Sequence, residues 1–201
     1  MKFYYFAVAP NPTRVRTYIR EKGIDAIEMV PVELGKGEHR SEAHLKRNPA
    51  GTLPVLELDN GAFITESLTI MEYLEVLYPN PPMIGEDLLT RMMTLQAERK
   101  IELNLQMRIV SLIHATNSPL GLPKNPGIAA SEEINLPIQL ERIDEVLKDN
   151  EFVMGGALTI ADCTLFSGLF FGEFFGWNIP DDYRALQRWY SAFKQRPSAA
   201  L

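Results

Sequence analysis

The apolar positions of the chain change their spacing near Pro79. Before it, short apolar runs of strand length occupy residues 2–8 and 27–32, and the sequence LPVLELDNGAFI indicates a hairpin that turns at Asn60-Gly61. Apolar residues at helical spacing lie between these runs and after the hairpin. The pattern predicts βαβ followed by ββα, which is the element order of an α/β thioredoxin-like domain with a four-stranded mixed sheet.

The first helix is predicted to begin in the sequence APNPT. Asn11 is a favoured N-cap residue, and Pro12 then occupies the first helical position. Gly23 is a typical residue just beyond the C-terminus of a helix. Residues 35–46 are polar and predict a loop.

From residue 88 onward every apolar pattern is helical. Residues 88–118 contain no glycine or proline and predict one long helix, bent at most. Further helices are predicted at 132–147, with Pro137 as a kink or a sign of a later start, and at 159–172 and 183–195. The sequence therefore predicts a thioredoxin-like domain over residues 1–80, a linker over 81–87 and an all-helical domain over 88–201.

Composition restricts the class of protein. The 201 residues are 46% hydrophobic and carry a net charge of −6, so bulk charge gives no indication of a nucleic-acid or anionic-membrane partner. No apolar run approaches the ~18 residues of a membrane-spanning helix, and the start MKFYYF lacks the features of a signal peptide. The single cysteine, Cys163, makes no internal disulfide and supplies no metal cluster. We therefore expect a soluble cytoplasmic protein without a metal.

The turn from the hairpin into the next helix contains the residues with the clearest chemistry. Pro54 cannot donate to a sheet ladder, so it starts its strand and leaves the backbone of Leu53 free to pair with a bound peptide. Glu66 and Ser67 allow two interpretations. Either Thr65 or Ser67 caps the helix and Glu66 faces its dipole, or the helix start and Ser67 hold a carboxylate while Glu66 holds an ammonium group. The second interpretation describes a receptor for the end of a small peptide.

A capping box is predicted at the sequence TIAD. Thr159 would cap the following helix and Asp162 would answer from the third helical position, which is a structural role. Cys163, the next residue, is interpreted as a small buried apolar side chain.

Four separated stretches resemble the cytosolic glutathione transferases. They are PNPTRVRTYIREKGI at the first helix, NPAGTLPVLELDNGAFITESLTIMEYL across the hairpin, LTIADCTLF in the helical part and RWYSAFKQRPS near the end. Together they extend over nearly the whole chain. The resemblance implies a thioredoxin-like domain followed by an all-helical domain, a homodimer, and glutathione as the co-substrate.

Carried over position by position, the resemblance implies roles for residues of the first domain. Pro54 would follow a cis peptide bond, and Leu53 would pair with the cysteinyl backbone of glutathione. Glu66 and Ser67 would take the γ-glutamyl end. His39 lies in the loop where a basic residue commonly meets the glycyl carboxylate.

The residue that stabilises the thiolate departs from the family pattern. Glutathione chemistry requires the thiolate, and related enzymes place a Tyr, Ser or Cys just after the first strand, where this chain has Ala9 and Pro10. The substitutes considered are the positive end of the first helix with the side-chain amide of Asn11, the hydroxyl of Thr13, and a water held by His114. The last arrangement is similar to atypical fungal and bacterial members of the family.

The second substrate is expected to be a small apolar electrophile. Its predicted pocket is lined by Val8, Ala9, Asn11, Ile113, His114 and Trp177. The predicted function is transfer of glutathione to such an electrophile. A glutathione-binding ligandin or scaffold without useful catalysis, which Ala9 and Pro10 favour, and a glutathione-dependent peroxidase are the alternatives.

Overall fold

A computed structural model of the protein describes residues 1–200 and contains a four-stranded sheet. Its strands are β1 (Lys2–Tyr5), β2 (Glu28–Pro31), β3 (Val55–Glu57) and β4 (Phe63–Thr65), in the order β2-β1-β3-β4. β1 and β2 are parallel, and β3 is antiparallel to both of its neighbours. The predicted mixed sheet of a thioredoxin-like domain is confirmed.

Three helices complete this domain: α1 (Pro10–Glu21), α2 (Glu42–Arg47) and α3 (Ser67–Leu77). α1 begins two residues earlier than predicted, because Ala9 is its N-cap and the first of the two prolines, Pro10, takes the first helical position. Asn11 is therefore a residue of the first turn and not the cap. α2 lies in the stretch that was predicted to be a loop. Only His44 of this helix is buried, so it has no apolar stripe to give a helical pattern.

The second domain is all helical. Its helices are α4 (Leu88–Ile101), α5 (Met107–Asn117), α6 (Pro126–Lys148), α7 (Ile160–Phe174) and α8 (Arg184–Phe193), and a π-helical segment, Glu102–Gln106, joins α4 to α5. The predicted helix over 88–118 is thus continuous but changes its hydrogen-bonding pattern midway. α6 starts at Pro126, capped by Asn125, and contains Pro137 in its interior. Within residues 1–200 no helix has both the length and the apolar character needed to cross a membrane.

α7 contributes to two separate apolar cores. Its first residues, Ile160 and Cys163, belong to the core of the sheet domain, and most of its later apolar residues belong to the core of the helical domain. Thr159 and Asp162 form the predicted capping box at its start, and burial raises the pKa of Asp162 to about 6. Burial also raises the pKa of the Cys163 thiol, which fits the packing role predicted for it.

Glu75 of α3 ties the connection between the domains to the sheet domain. One of its carboxylate oxygens accepts hydrogen bonds from the backbone N–H groups of Met83 at 2.7 Å and Ile84 at 3.1 Å. The other accepts from the hydroxyl of Tyr18 and pairs with the ammonium group of Lys22, both at 2.5 Å. All of these side chains are buried, so the connection is held by a charged group that water does not reach.

Candidate functional site

The loop before β3 is held by side chains from α2 and the residue after it. His44 Nε2 lies 3.1 Å from the carbonyl oxygen of Thr52, and Asn48 donates to the same oxygen at 3.0 Å. These contacts fix the chain where it enters the Leu53–Pro54 peptide bond, which is cis. The backbone N–H and C=O of Leu53 bond no other backbone group among residues 1–200. An extended peptide can therefore pair with this edge.

Glu66 has an unusual backbone conformation at the start of α3. Its φ is 66°, a positive value that costs a non-glycine residue about 1–3 kcal/mol and occurs mainly at functional sites. Glu66 is the N-cap but makes no capping bond with its side chain, so neither Thr65 nor Ser67 caps the helix. Within residues 1–200 the first N–H groups of α3 have no side-chain partner, and the adjacent residue Glu66 is exposed. The first interpretation is therefore wrong about which residue is the cap, and the second, a receptor for the end of a small peptide, stays a prediction.

Arg14 of α1 connects Ser67 to the helical domain. Its Nε donates to the Ser67 hydroxyl at 2.7 Å, and its two terminal nitrogens pair with Glu98 at 2.6 Å and Glu102 at 2.9 Å. Burial raises the pKa of Glu98, although the nearby positive charge of Arg14 acts to lower it. At Glu102 burial alone would raise the pKa, but the hydrogen bond and charge of Arg14 lower it. Because Ser67 accepts from Arg14, its own hydroxyl hydrogen stays available to another acceptor.

The segment between β1 and α1 is shaped by side chains of α1. Thr13 Oγ1 donates to the carbonyl oxygen of Ala7 at 3.2 Å, and Arg16 Nη1 donates to the same oxygen at 3.0 Å. The hydroxyl hydrogen of the buried Thr13 is already donated to Ala7, so this hydroxyl holds the turn and has no hydrogen left for a bound sulfur. This corrects the expectation that Thr13 acts on a bound sulfur.

Asn11 supplies two free donors at the start of α1. Pro10 and Pro12 have no N–H, so the backbone N–H of Asn11 is the donor of the first turn that the helix leaves unused. The side-chain oxygen of Asn11 accepts a hydrogen bond from Gln106 Nε2 at 3.1 Å. Its side-chain nitrogen bonds nothing within residues 1–200 and remains a donor.

A cavity of about 760 Å³ opens between the domains beside the start of α1. Among the predicted site residues it is lined by Val8, Ala9, His39 and His114, and the remaining lining is mostly apolar: Phe6, Pro10, Leu34, Gly35, Val110, Pro119, Leu120, Phe171 and Phe175. Such a lining accommodates an apolar molecule with few polar groups.

Asn11, Ile113 and Trp177 do not line this cavity, although all three were predicted to do so. Ile113 is buried in the helical core, on a different face of α5 from His114. Trp177 packs on α7 at Gly172, where a Cβ would come within 2.6 Å of its ring. The ring therefore fills the space above a glycine instead of facing the cavity.

Two histidines from different domains face the cavity. His114 Nδ1 lies 2.8 Å from the hydroxyl of Ser118, which leaves Nε2 for another partner. Removal from water lowers the pKa of His114, so its ring is neutral at pH 7. The pKa of His39 is lowered by burial and then by the charges of Arg40 and His44, and its buried Nδ1 has no hydrogen-bond partner in the part of the chain that the structure describes.

Sequence analysis missed three residues of the site: Arg14, Gln106 and Ser118. Arg14 stands among the buried residues of α1, and a charged residue on an apolar face was a signal that a partner exists. Ser118 follows His114 by four residues, the spacing of neighbours on a helix face, which was a second signal. No signal in the sequence pointed to Gln106, because its position depends on the π-helical segment.

Comparison with known proteins identifies the class to which this fold and site belong. Residues 3–82 match the family model described as the glutathione S-transferase N-terminal domain, and residues 128–197 match the glutathione S-transferase C-terminal domain. The chain belongs to the glutathione S-transferase family.

Full-length relatives agree with this assignment. The chain is 31% identical to glutathione S-transferase 2 of Saccharomyces cerevisiae over 203 residues, which cover 98% of this chain and 87% of the relative. The crystal structure of Gtt2 from the same yeast has a TM-score of 0.90 at 31% identity and covers 99% of this chain and 98% of its own. A glutathione S-transferase domain-containing protein from Marinobacter aquaeolei also has a TM-score of 0.90, at 32% identity over 100% of both chains.

Proposed function

We propose that the protein binds glutathione with its γ-glutamyl end at Glu66 and Ser67 and transfers the thiolate to a small apolar electrophile in the cavity. The spacing of these two places carries the proposal. Arg14, bonded to Ser67, lies four residues beyond Pro10 at the cavity, and four residues of α-helix rise about 6 Å. An extended peptide spans about 3.5 Å per residue. The headgroup site and the cavity are thus both tied to α1, and a tripeptide held at Ser67 extends toward the start of that helix.

The thiolate is stabilised in this proposal by Asn11. Its backbone N–H and its side-chain nitrogen have no acceptor among the described residues, 1–200, and they lie at the positive end of the α1 dipole. Donors that are already in place where negative charge develops favour the ionised sulfur without reorganisation. The two donors of Asn11 replace the hydroxyl or thiol of related enzymes, which Ala9 and Pro10 do not have.

The two histidines receive different roles. A neutral His114, held through Nδ1 by Ser118, uses Nε2 to keep a water against the sulfur. A neutral His39 donates an N–H to the glycyl carboxylate of glutathione. Because the cavity lining is mostly apolar, the proposed second substrate is a hydrophobic electrophile. The proposed location is the reduced cytoplasm, since the single cysteine makes no internal disulfide.

The test of the headgroup site is Ser67→Ala. We expect glutathione affinity to fall by about 1–3 kcal/mol, because one hydrogen bond to a charged carboxylate is lost. Isothermal titration calorimetry measures the change, and Thr69→Ala, an exposed substitution on the same helix, is the matched control with unchanged affinity. Equal affinities of the Ser67 variant and the unsubstituted protein would contradict the assignment.

A glutathione-binding protein without useful catalysis is the second candidate. Ala9 and Pro10 at the position of the usual activating residue favour it. Turnover of an aromatic chloride with glutathione separates the candidates, since a binding protein shows affinity without product. Reduction of a peroxide by glutathione is compatible with the same site and is measured in parallel.

We also propose that two copies associate through the exposed apolar face of α4. This face is formed by Leu88, Leu89, Met92 and Met93, which are 76%, 69%, 46% and 46% exposed. The ion pair between Arg91 and Glu72, at 3.6 Å, places it next to α3, where Val76 and Leu77 are 73% and 47% exposed. Contiguous apolar surface of this kind is typical of an interface.

Met92→Glu is expected to separate the two copies, because a two-fold interface receives the new charge twice. Sedimentation equilibrium should give twice the chain mass of 22.7 kDa for the unsubstituted protein and the single mass for the variant. Leu122→Glu, at a leucine that is 52% exposed in the loop between α5 and α6, is the control and should stay dimeric. A single mass for the unsubstituted protein would contradict the proposed dimer.

A further inference from the structure

Gln106, at the end of the π-helical segment, reaches across the domain boundary to Asn11. It is 1% exposed, its Nε2 donates to Asn11 Oδ1 at 3.1 Å, and its Oε1 accepts from the hydroxyl of Ser167 at 2.9 Å. We propose that Gln106 is a positioning residue that keeps the nitrogen of the Asn11 amide turned toward the sulfur of glutathione. The inference rests on the proposed function and adds to it a residue that does not touch the substrate.

Asn11, Gln106 and Ser167 form a chain of hydrogen bonds that we call the relay. The π-helical segment and a glycine bring these three residues together. A π-helical turn contains more residues than an α-helical turn, so Gln106 and the helix after it face a different direction than an unbroken α-helix would give them. α7 approaches this segment closely at Gly168, where a Cβ would lie 3.1 Å from both Cα and Cβ of Gln106. Ser167, the preceding residue, is thereby within reach of the Gln106 amide.

The relay decides which end of the Asn11 amide is free. A side-chain amide has an acceptor oxygen and a donor nitrogen. Because Gln106 donates to the oxygen of Asn11, the nitrogen is the end that remains. A donor stabilises a thiolate, whereas an amide oxygen at the same place would disfavour it. An asparagine without this contact is free to present either end.

The hydroxyl of Ser167 controls the polarity of the relay. Its one hydrogen has two acceptors at 2.9 Å, Gln106 Oε1 and the carbonyl oxygen of Thr164. When the hydrogen goes to Thr164, Ser167 accepts from Gln106 and both amides reverse, which turns the oxygen of Asn11 outward. A bound thiolate favours the first arrangement over the second, so glutathione ionisation and relay polarity are coupled.

Gln106→Glu tests the polarity, because an ionised carboxylate of the same shape accepts hydrogen bonds and donates none. Asn11 must then donate to residue 106 and present its oxygen to the sulfur. We expect the pKa of enzyme-bound glutathione, titrated through the ultraviolet absorbance of its thiolate, to rise by about 1 unit or more. At a pH below that pKa, kcat/KM should fall about tenfold, while the Kd for glutathione changes by less than about twofold.

Gln106→Met keeps the length of the side chain without its polar group and avoids a buried charge. It should raise the thiol pKa less than Gln106→Glu does, because Asn11 is then free to present either end. In an Asn11→Ala background Gln106→Met should cause no further rise, since the residue it positions is absent. Leu103→Ala, at an exposed residue of the same π-helical segment, is the matched control and should leave the thiol pKa unchanged. Circular dichroism compares the folding of all variants.

The outcomes separate this inference from the function on which it rests. A rise in thiol pKa for Asn11→Ala, but none for either folded Gln106 variant, overturns the relay and leaves the transferase proposal intact. A loss of glutathione affinity without a change in thiol pKa also overturns it, because that is the effect of a structural residue. An unsubstituted protein that binds no glutathione overturns the proposed function itself.

Discussion

Arg14→Met is expected to lower the free energy of unfolding by about 3–5 kcal/mol, because it leaves the buried carboxylate of Glu98 without a cation, while Glu102 keeps only Arg99. The side chain of Glu98 is completely buried and that of Glu102 is 12% exposed. The substitution also removes the donor to Ser67, so glutathione binding should weaken. Urea unfolding followed by circular dichroism measures the first effect, and calorimetric titration measures the second.

Arg99→Met is the matched control for this prediction. Arg99 pairs with the same Glu102, but its side chain is 44% exposed, so the loss should be at most about 1 kcal/mol. Adding Glu98→Leu to Arg14→Met should recover part of the stability, since the uncompensated charge is removed. If the two arginine variants were equally stable, the buried network would not contribute to folding as described.

Glu75→Ala is expected to cost a similar amount, about 3–5 kcal/mol, for a different reason. It leaves the ammonium group of Lys22 buried without a counter-ion and the N–H groups of Met83 and Ile84 without acceptors. The connection between the domains should loosen locally as well. Urea unfolding measures the stability, and hydrogen exchange at the amides of Met83 and Ile84 reports the local opening.

Glu72→Ala, one turn earlier on α3, provides the comparison. Glu72 pairs with Arg91 at 3.6 Å and its side chain is 39% exposed, so the expected change is at most about 1 kcal/mol. Slow exchange at Met83 and Ile84 in the Glu75 variant would mean that the connection is held by its apolar side chains alone.

The parts of the fold that could be predicted are those with a local signal. Thr159 and Asp162 carry a capping pattern within four residues, and the structure forms that box. At the first helix two prolines offered the same signal two residues apart, and the sequence alone did not distinguish Pro10 from Pro12. α2 has a single buried residue, His44, and therefore no periodic pattern to detect.

The candidate site also has features to which the sequence pointed and features that it could not show. The cis bond before Pro54 and the positive φ of Glu66 lie at positions to which the family resemblance pointed. The partners of Arg14, by contrast, are 84 and 88 residues away in sequence, and no local pattern connects such distant positions. The predicted place of Ile113 and Trp177 was wrong, because the sequence shows that these residues are apolar. It does not show whether an apolar side chain packs within the helical domain or lines the cavity.

The helix α7 makes the two halves of the molecule dependent on each other. Ile160 and Cys163 pack in the core of the sheet domain although they lie 95 and 98 residues after Thr65, the end of its last strand. A separated first half would expose an apolar opening where these side chains belong. The cavity between the halves therefore lies beside two cores that share one helix, so a change in the packing of α7 is expected to move the two walls of the cavity relative to each other.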